Sequence, residues 1–112
     1  MDKYLNKTVT VKMDRPLGSN HPKHGFRYEV NYGFIPNTKM ADGEELDAYV
    51  IGPNKSLDEF TGTCIAYIER TDDIDDPKLI VVSDDKKDIT DTEIMTAVNF
   101  QEKFFRSVVK RK

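Results

Sequence analysis

Residues 28–51 read YEVNYGFIPNTKMADGEELDAYVI, and the rest of the chain can be placed outward from this stretch. An aromatic-rich segment, Tyr28 to Pro36, leads into a compact acidic loop that carries Asp42, Glu44 and Asp47. Asp42 and Glu44 flank a glycine, and Asp47 enters the strand that follows. Three carboxylates within six residues can crowd oxygen ligands around a hard divalent cation such as Mg²⁺. Asp-Gly is equally an ordinary hairpin signal whose acids are solvated. Spacing alone leaves both readings open.

Outward from that loop the chain reads mostly as short strands. Residues 46–51 form a strand apolar on much of both faces, and turn residues at 52–56 end it. Residues 62–69 predict the next strand, and residues 79–82 a short, continuously apolar one. On the other side, residues 8–13 alternate apolar and polar with β-branched side chains, which favours a strand. Two prolines and a glycine in residues 14–22 impose a loop after it. Strands of this length and spacing imply an antiparallel barrel or sandwich rather than βαβ units. Near the end, Thr90 and Glu93 fit a capping box. From there the pattern predicts a helix to the end of the chain. Its apolar stripe is Ile94, Met95, Val98, Phe105, Val108 and Val109, with Arg106 and Lys110 to Lys112 suited to the C-terminal dipole.

Composition excludes several function classes. A chain of 112 residues predicts one domain spanning 1–112. The balance of 17 Lys and Arg against 20 Asp and Glu argues against a nucleic-acid partner held by phosphate contacts. No apolar run approaches membrane-spanning length, and the first residues do not open a signal peptide. The single cysteine, Cys64, excludes an internal disulfide and suits a reducing cytosol. It lies in an apolar, alternating segment and reads as a core residue.

Two charged stretches remain ambiguous on residues alone. Arg15, His21, Lys23, His24 and Arg27 crowd into one loop. They form either a cationic wall for an anion or a polar loop whose histidines bond to backbone. Residues 72–78 read DDIDDPK, with four aspartates in five positions, which repel unless a cation or water screens them.

These segments together resemble the soluble inorganic pyrophosphatases that use an acidic cluster and Mg²⁺. The resemblance is carried by Tyr28, Asn31, Tyr32, Gly33, Phe34 and Ile35, then by Asp42, Gly43, Glu44, Leu46 and Asp47. It continues at Asp76 and Lys78, just before the apolar residues 79–82. Departures are Glu44 where the family carries aspartate, Thr71 where it carries a metal-binding aspartate, and Phe104-Phe105-Arg106 where it carries Tyr-Lys. The chain between Met13 and Tyr28 is also too short for the hairpin that supplies a lysine and an arginine to substrate.

The resemblance implies a mainly β fold, a small twisted OB-like antiparallel barrel with a C-terminal α-helix packed outside. It implies Mg²⁺-dependent hydrolysis of pyrophosphate to two phosphates by metal-activated water, with Mn²⁺ as an alternative ion. Asp42, Glu44, Asp47, Asp72 and Asp76 are the expected metal ligands, Asp72 standing in for the residue lost at Thr71. Glu44 is the expected catalytic base. Tyr32, Lys78, Arg15 and Arg106 are the expected substrate contacts. A cytoplasmic homo-oligomer with no nucleic-acid or membrane partner is the corresponding setting. The departures motivate an alternative, a catalytically impaired relative that binds a metal–phosphate ligand or a protein partner.

Overall fold

A computed structural model describes residues 1–72 and 77–111. Six strands and one helix follow in chain order: β1 (Thr8–Arg15), β2 (Asn31–Ile35), β3 (Leu46–Ile51), β4 (Glu59–Arg70), β5 (Lys78–Val82), α1 (Asp91–Glu102) and β6 (Ser107–Lys110). The strands lie in the order β1-β2-β3-β5-β4, and β1 pairs back onto β4, which closes a five-stranded barrel. All these pairings are antiparallel except β3 with β5, which run parallel. The fold is the mainly β, OB-like barrel with one outer helix that the sequence implies. Among the described residues, no helix is long and apolar enough to cross a membrane.

Both faces of the central strands are buried, which explains why β3 and β5 read as continuous apolar runs. Leu46, Ala48 and Val50 of β3 meet Leu79 and Val81 of β5, with Val11 and Cys64, inside the barrel. The alternate residues Tyr49, Ile51, Ile80 and Val82 point outward, where Ile94, Val98 and Phe100 of α1 pack with them. Cys64 is fully buried, and burial pushes its thiol up to about 11, which fits a core role. Thr90 caps α1 as its sequence indicates. Its hydroxyl accepts the Glu93 N–H at 3.1 Å, and the Glu93 carboxylate accepts the Thr90 N–H at 3.1 Å.

The helix does not run to the chain end. It stops at Glu102, and Ser107–Lys110 forms β6 instead. The twelve residues of β4 explain the difference. β1 occupies one edge of β4 only as far as Thr63, which leaves that edge open at Tyr67 to Arg70. β6 fills it, Val108 facing Glu69 and Val109 facing Ile68. Two adjacent β-branched residues between polar neighbours suit a strand as well as a helical stripe, and the free edge decides.

Asn31 fixes the loops around the site. Fully buried, it accepts the N–H groups of Leu17 at 2.9 Å and Leu57 at 3.1 Å, and donates to the Lys55 carbonyl at 2.9 Å. One side chain thereby satisfies three backbone groups of two loops.

Candidate active site

Strand register gathers the candidate residues on the outward face of the barrel. Antiparallel pairing sets Tyr32 opposite Tyr49 and Phe34 opposite Asp47, so Tyr32 and Asp47 are diagonal neighbours on one face. Parallel pairing of Ala48 with Leu79 brings Lys78, the first residue of β5, alongside Asp47. The contacts follow directly. The Tyr32 hydroxyl donates to Asp47 Oδ2 at 2.9 Å, and Lys78 Nζ lies 3.3 Å from the same oxygen. Burial, and then the adjacent Asp47 charge, hold the Tyr32 hydroxyl well above its ordinary pKa, so it remains a donor throughout the physiological range.

A β-bulge delivers the next pair. Lys12 faces Phe34, Met13 faces Gly33, and then Arg15 rather than Asp14 faces Tyr32. The extra residue turns the strand locally, as bulges do beside functional sites. Asp14 and Arg15 consequently line cavities on either side of Asp47. Burial raises the Asp14 carboxyl above its usual range, only partly offset by the Arg15 charge.

The first cavity, about 280 Å³, is acidic. Asp14, Asp42, Glu44, Glu45 and Asp47 line it together with Lys78. Its loop is held by a local turn. Gly43 takes φ 85°, the Gly43 N–H donates to the Met40 carbonyl at 2.9 Å, and the Glu44 N–H donates to Asp42 Oδ1 at 2.9 Å. An all-oxygen donor set suits a hard cation such as Mg²⁺ in its chemistry. Among the described residues, no three carboxylate, histidine or cysteine side chains already converge as a ligand cage.

The second cavity, about 460 Å³, adjoins the first at Asp14, Asp47 and Lys78. Arg15 and Arg70 give it positive charge, while His21, His24, Phe26 and Phe104 give it aromatic walls. Tyr28 and Gln101, which line it, lead into a buried polar network. The Tyr28 hydroxyl donates to Gln101 Oε1 at 2.7 Å, and Gln101 Nε2 donates to the Tyr49 hydroxyl at 2.7 Å. The Tyr49 hydroxyl in turn donates to Glu102 Oε2 at 2.5 Å. Burial pushes the Tyr28 hydroxyl up to about 12, so this chain of donors keeps its protons.

Tyr32, Asp42, Glu44, Asp47, Lys78 and Arg15 thus face the two adjoining cavities. Asp72 and Arg106 are placed elsewhere. Asp72 Oδ1 accepts the Arg106 N–H at 3.0 Å, and the Arg106 carbonyl accepts the Thr71 N–H at 2.7 Å. This clasp ties the end of β4 to the start of β6, and Arg106 is exposed. Asp76 lies outside the described residues. His21 follows the backbone-bonding reading, its Nδ1 accepting the N–H groups of Lys23 and His24 at 3.1 Å each. Sequence reading missed Asp14 and Arg70, which line the cavities, and Glu102, which accepts from Arg70 behind them. Arg70 leaves one trace, a lone arginine closing the apolar run of β4.

Comparison with known proteins bears on the family and the fold. The family model described as inorganic pyrophosphatase matches residues 3–110. An inorganic pyrophosphatase of Ralstonia nicotianae is 33% identical over 79 residues, 68% of this chain and 42% of that protein. One of Sulfolobus acidocaldarius is 33% identical over 89 residues, 76% of this chain and 48% of that protein. The chain therefore spans about half the length of the curated relatives it matches. Among solved structures, the inorganic pyrophosphatase of Ehrlichia chaffeensis superposes with a TM-score of 0.72 at 19% identity, covering 96% of this chain and 87% of that one. That of Coxiella burnetii superposes with a TM-score of 0.62 at 20% identity, covering 96% and 86%. At such identities the superpositions speak for the fold, while the match over residues 3–110 speaks for descent: the chain belongs to the inorganic pyrophosphatase family.

Proposed function

We propose that this chain is a divalent-metal-dependent phosphohydrolase that splits pyrophosphate into two phosphates. The observation that carries the reading is the position of Asp47. It accepts from Tyr32 and pairs with Lys78 at the line where an acidic cavity meets a cationic one. Hydrolysis of a phosphoanhydride needs that juxtaposition, because cation ligands and phosphate-binding cations must lie side by side.

In this reading Asp42, Glu44 and Asp47 hold the ion, Mg²⁺ or alternatively Mn²⁺, with Asp76 as a further ligand. Such an ion, when bound, would lower the pKa of the attacking water and offset charge on the leaving phosphate. Glu44 takes the proton from that water. Lys78 and Arg15 bind phosphate oxygens, and Arg70, which also lines the cationic cavity, joins them. Tyr32 holds Asp47 in one orientation, so the carboxylate need not reorganise when ligand arrives. Asp72 and Arg106 belong here to the clasp between β4 and β6. The same reading takes residues 1–112 as a single cytoplasmic domain that assembles as a homo-oligomer.

Phosphate release from Mg²⁺–pyrophosphate, compared between the native chain and Asp42→Asn, tests the reading. Asparagine retains the oxygen that accepts the Glu44 N–H, so the loop keeps its turn while the ligand loses its charge. Turnover that disappears in the variant supports the proposal, and absence of turnover in the native chain refutes it. A second reading, a catalytically impaired relative that only binds a metal–phosphate ligand or a protein partner, draws on one observation. The Asp72 carboxylate is engaged with the Arg106 backbone rather than with the acidic cavity. Under that reading metal-dependent phosphate binding survives without release of product.

A further inference from the structure

The aromatic side of the larger cavity has no use for bare pyrophosphate. That anion presents charged oxygen on all sides and offers no apolar surface to a ring. Yet four rings line this half of the cavity, beyond the charged line of Asp47, Lys78 and Arg15. Phe26 lies between the others, 4.9 Å from the His21 ring, 5.6 Å from Phe104, and within 3° of parallel to His24. Phe104 remains 58% exposed, so core packing does not account for it.

His21 extends this wall rather than the cationic one. His21 Nδ1 accepts two backbone N–H bonds, which a protonated ring could not do, so the ring is neutral with its remaining proton on Nε2. The same two bonds fix its orientation. A wall of aromatic rings, with His21 neutral and fixed in orientation, next to phosphate-binding cations is the arrangement that stacks a planar heteroaromatic ring on a charged tail. The volume agrees. About 460 Å³ lies within the roughly 300–1,000 Å³ of sites that enclose a drug-sized organic ligand.

We propose that the wall of His21, His24, Phe26 and Phe104 is a subsite for the planar base of a nucleoside diphosphate, whose two phosphates occupy the Asp47–Lys78 side. The inference rests on the phosphohydrolase reading for the chemistry, and on the ring wall alone for the choice of substrate. The reaction balances without a further reactant. Water oxygen bonds to the terminal phosphorus, and the bond from that phosphorus to the bridging oxygen breaks with its electron pair on that oxygen. Glu44 receives the water's proton, and nucleoside monophosphate and inorganic phosphate leave.

The test is equilibrium binding to the full chain, in Mg²⁺, of α,β-methylene-ADP and of methylenediphosphonate. Neither is hydrolysed, and they differ by the nucleoside. The expected result is about tenfold or more tighter binding of the nucleotide analogue, as stacking of one base produces. In Phe104→Ala, which removes an exposed side chain, the ratio between the two ligands collapses towards one, while thermal unfolding verifies the fold. Equal affinities in the native chain overturn the subsite, and so does a ratio that survives Phe104→Ala. Phosphate release from pyrophosphate and from ADP is measured on the same preparation. Release from pyrophosphate with equal affinities overturns the subsite and upholds the hydrolase. Nucleotide-selective binding without release from either compound does the reverse.

Discussion

Arg70 grips Glu102 with two parallel hydrogen bonds, Nε to Oε1 at 3.0 Å and Nη2 to Oε2 at 2.8 Å. Both residues are buried, and the Phe105 ring covers the guanidinium at 3.7 Å. Glu102 also accepts the hydroxyls of Tyr49 and Ser107, so its carboxylate joins β3, β4, the last turn of α1 and the first residue of β6. A bidentate pair of this kind fixes direction as well as distance. It holds Arg70 where its guanidinium lines the cationic cavity, with no ligand needed to order it.

Removing the acid from that pair takes from a buried guanidinium the carboxylate that accepts both its Nε and its Nη2 hydrogen bonds. Glu102→Gln keeps the volume and loses the charge, and its expected cost is about 3–5 kcal/mol of unfolding free energy. Urea denaturation of the two proteins measures it. A difference below about 1 kcal/mol would mean that the Glu102 charge does not stabilise the fold.

The same carboxylate makes stability depend on acid. Burial pushes the Glu102 carboxyl up, but the bonds from Arg70, Ser107 and Tyr49 together outweigh it and leave the group below its ordinary pKa. A depressed carboxyl pKa contributes stability above the unfolded value of 4.5, and that stability is lost as pH falls through the folded value. The urea midpoint should therefore fall as pH is lowered below about 4.5. In Glu102→Gln the profile should be flatter over this range. Parallel profiles for the two proteins would assign the acid sensitivity to other carboxylates.

These couplings mark the limit of what the chain reveals before it folds. β1, β3 and β5 were legible because period-two alternation, or a short unbroken apolar run, reports burial locally. The α1 start was legible because Thr90 and Glu93 satisfy each other within one turn. Ser107–Lys110 was not, because the open edge of β4 that claims it belongs to residues some forty positions earlier. Asp14 escaped notice for a similar reason. Its place in the site depends on a bulge set by the pairing of β1 with β2, which no local pattern announces. Arg70 and Glu102 are far apart in sequence, and each alone looks like an ordinary surface charge. Tyr32, Asp47 and Lys78, by contrast, were singled out through resemblance, and strand register then brings them into contact.

Under the proposed function, that contact should be directly visible in kinetics. Asp47→Asn retains an oxygen for the Tyr32 hydroxyl but removes the charge facing Lys78 and a proposed metal ligand. We expect kcat/KM for phosphate release to fall about 10²-fold or more, the scale of displacing a reacting group by about 1 Å. Tyr32→Phe keeps the charge and releases the carboxylate's orientation, so its loss should be smaller and confined to activity. Equal losses in both would indicate that the Tyr32 hydroxyl contacts substrate rather than positioning Asp47.

Gly33 shows why one residue of the quoted stretch has no substitute. A Cβ built there would lie 1.9 Å from the Lys12 carbonyl oxygen and 2.7 Å from the Met13 Cα. Both are backbone atoms of β1, so no rotamer change relieves the clash, and the two strands must separate where Met13 faces Gly33. Overpacking of this kind costs about 1–3 kcal/mol and sometimes more, and rigid backbone places it at the upper end. The damage would also reach the site, because the bulge at Asp14 and Arg15 begins at the next residue. Gly33→Ala should lower the thermal midpoint by several degrees and reduce activity beyond what lost stability explains. A variant with native stability and diminished activity would place the glycine's role in the site alone. A variant with both intact would mean that β1 and β2 can part at this point without cost.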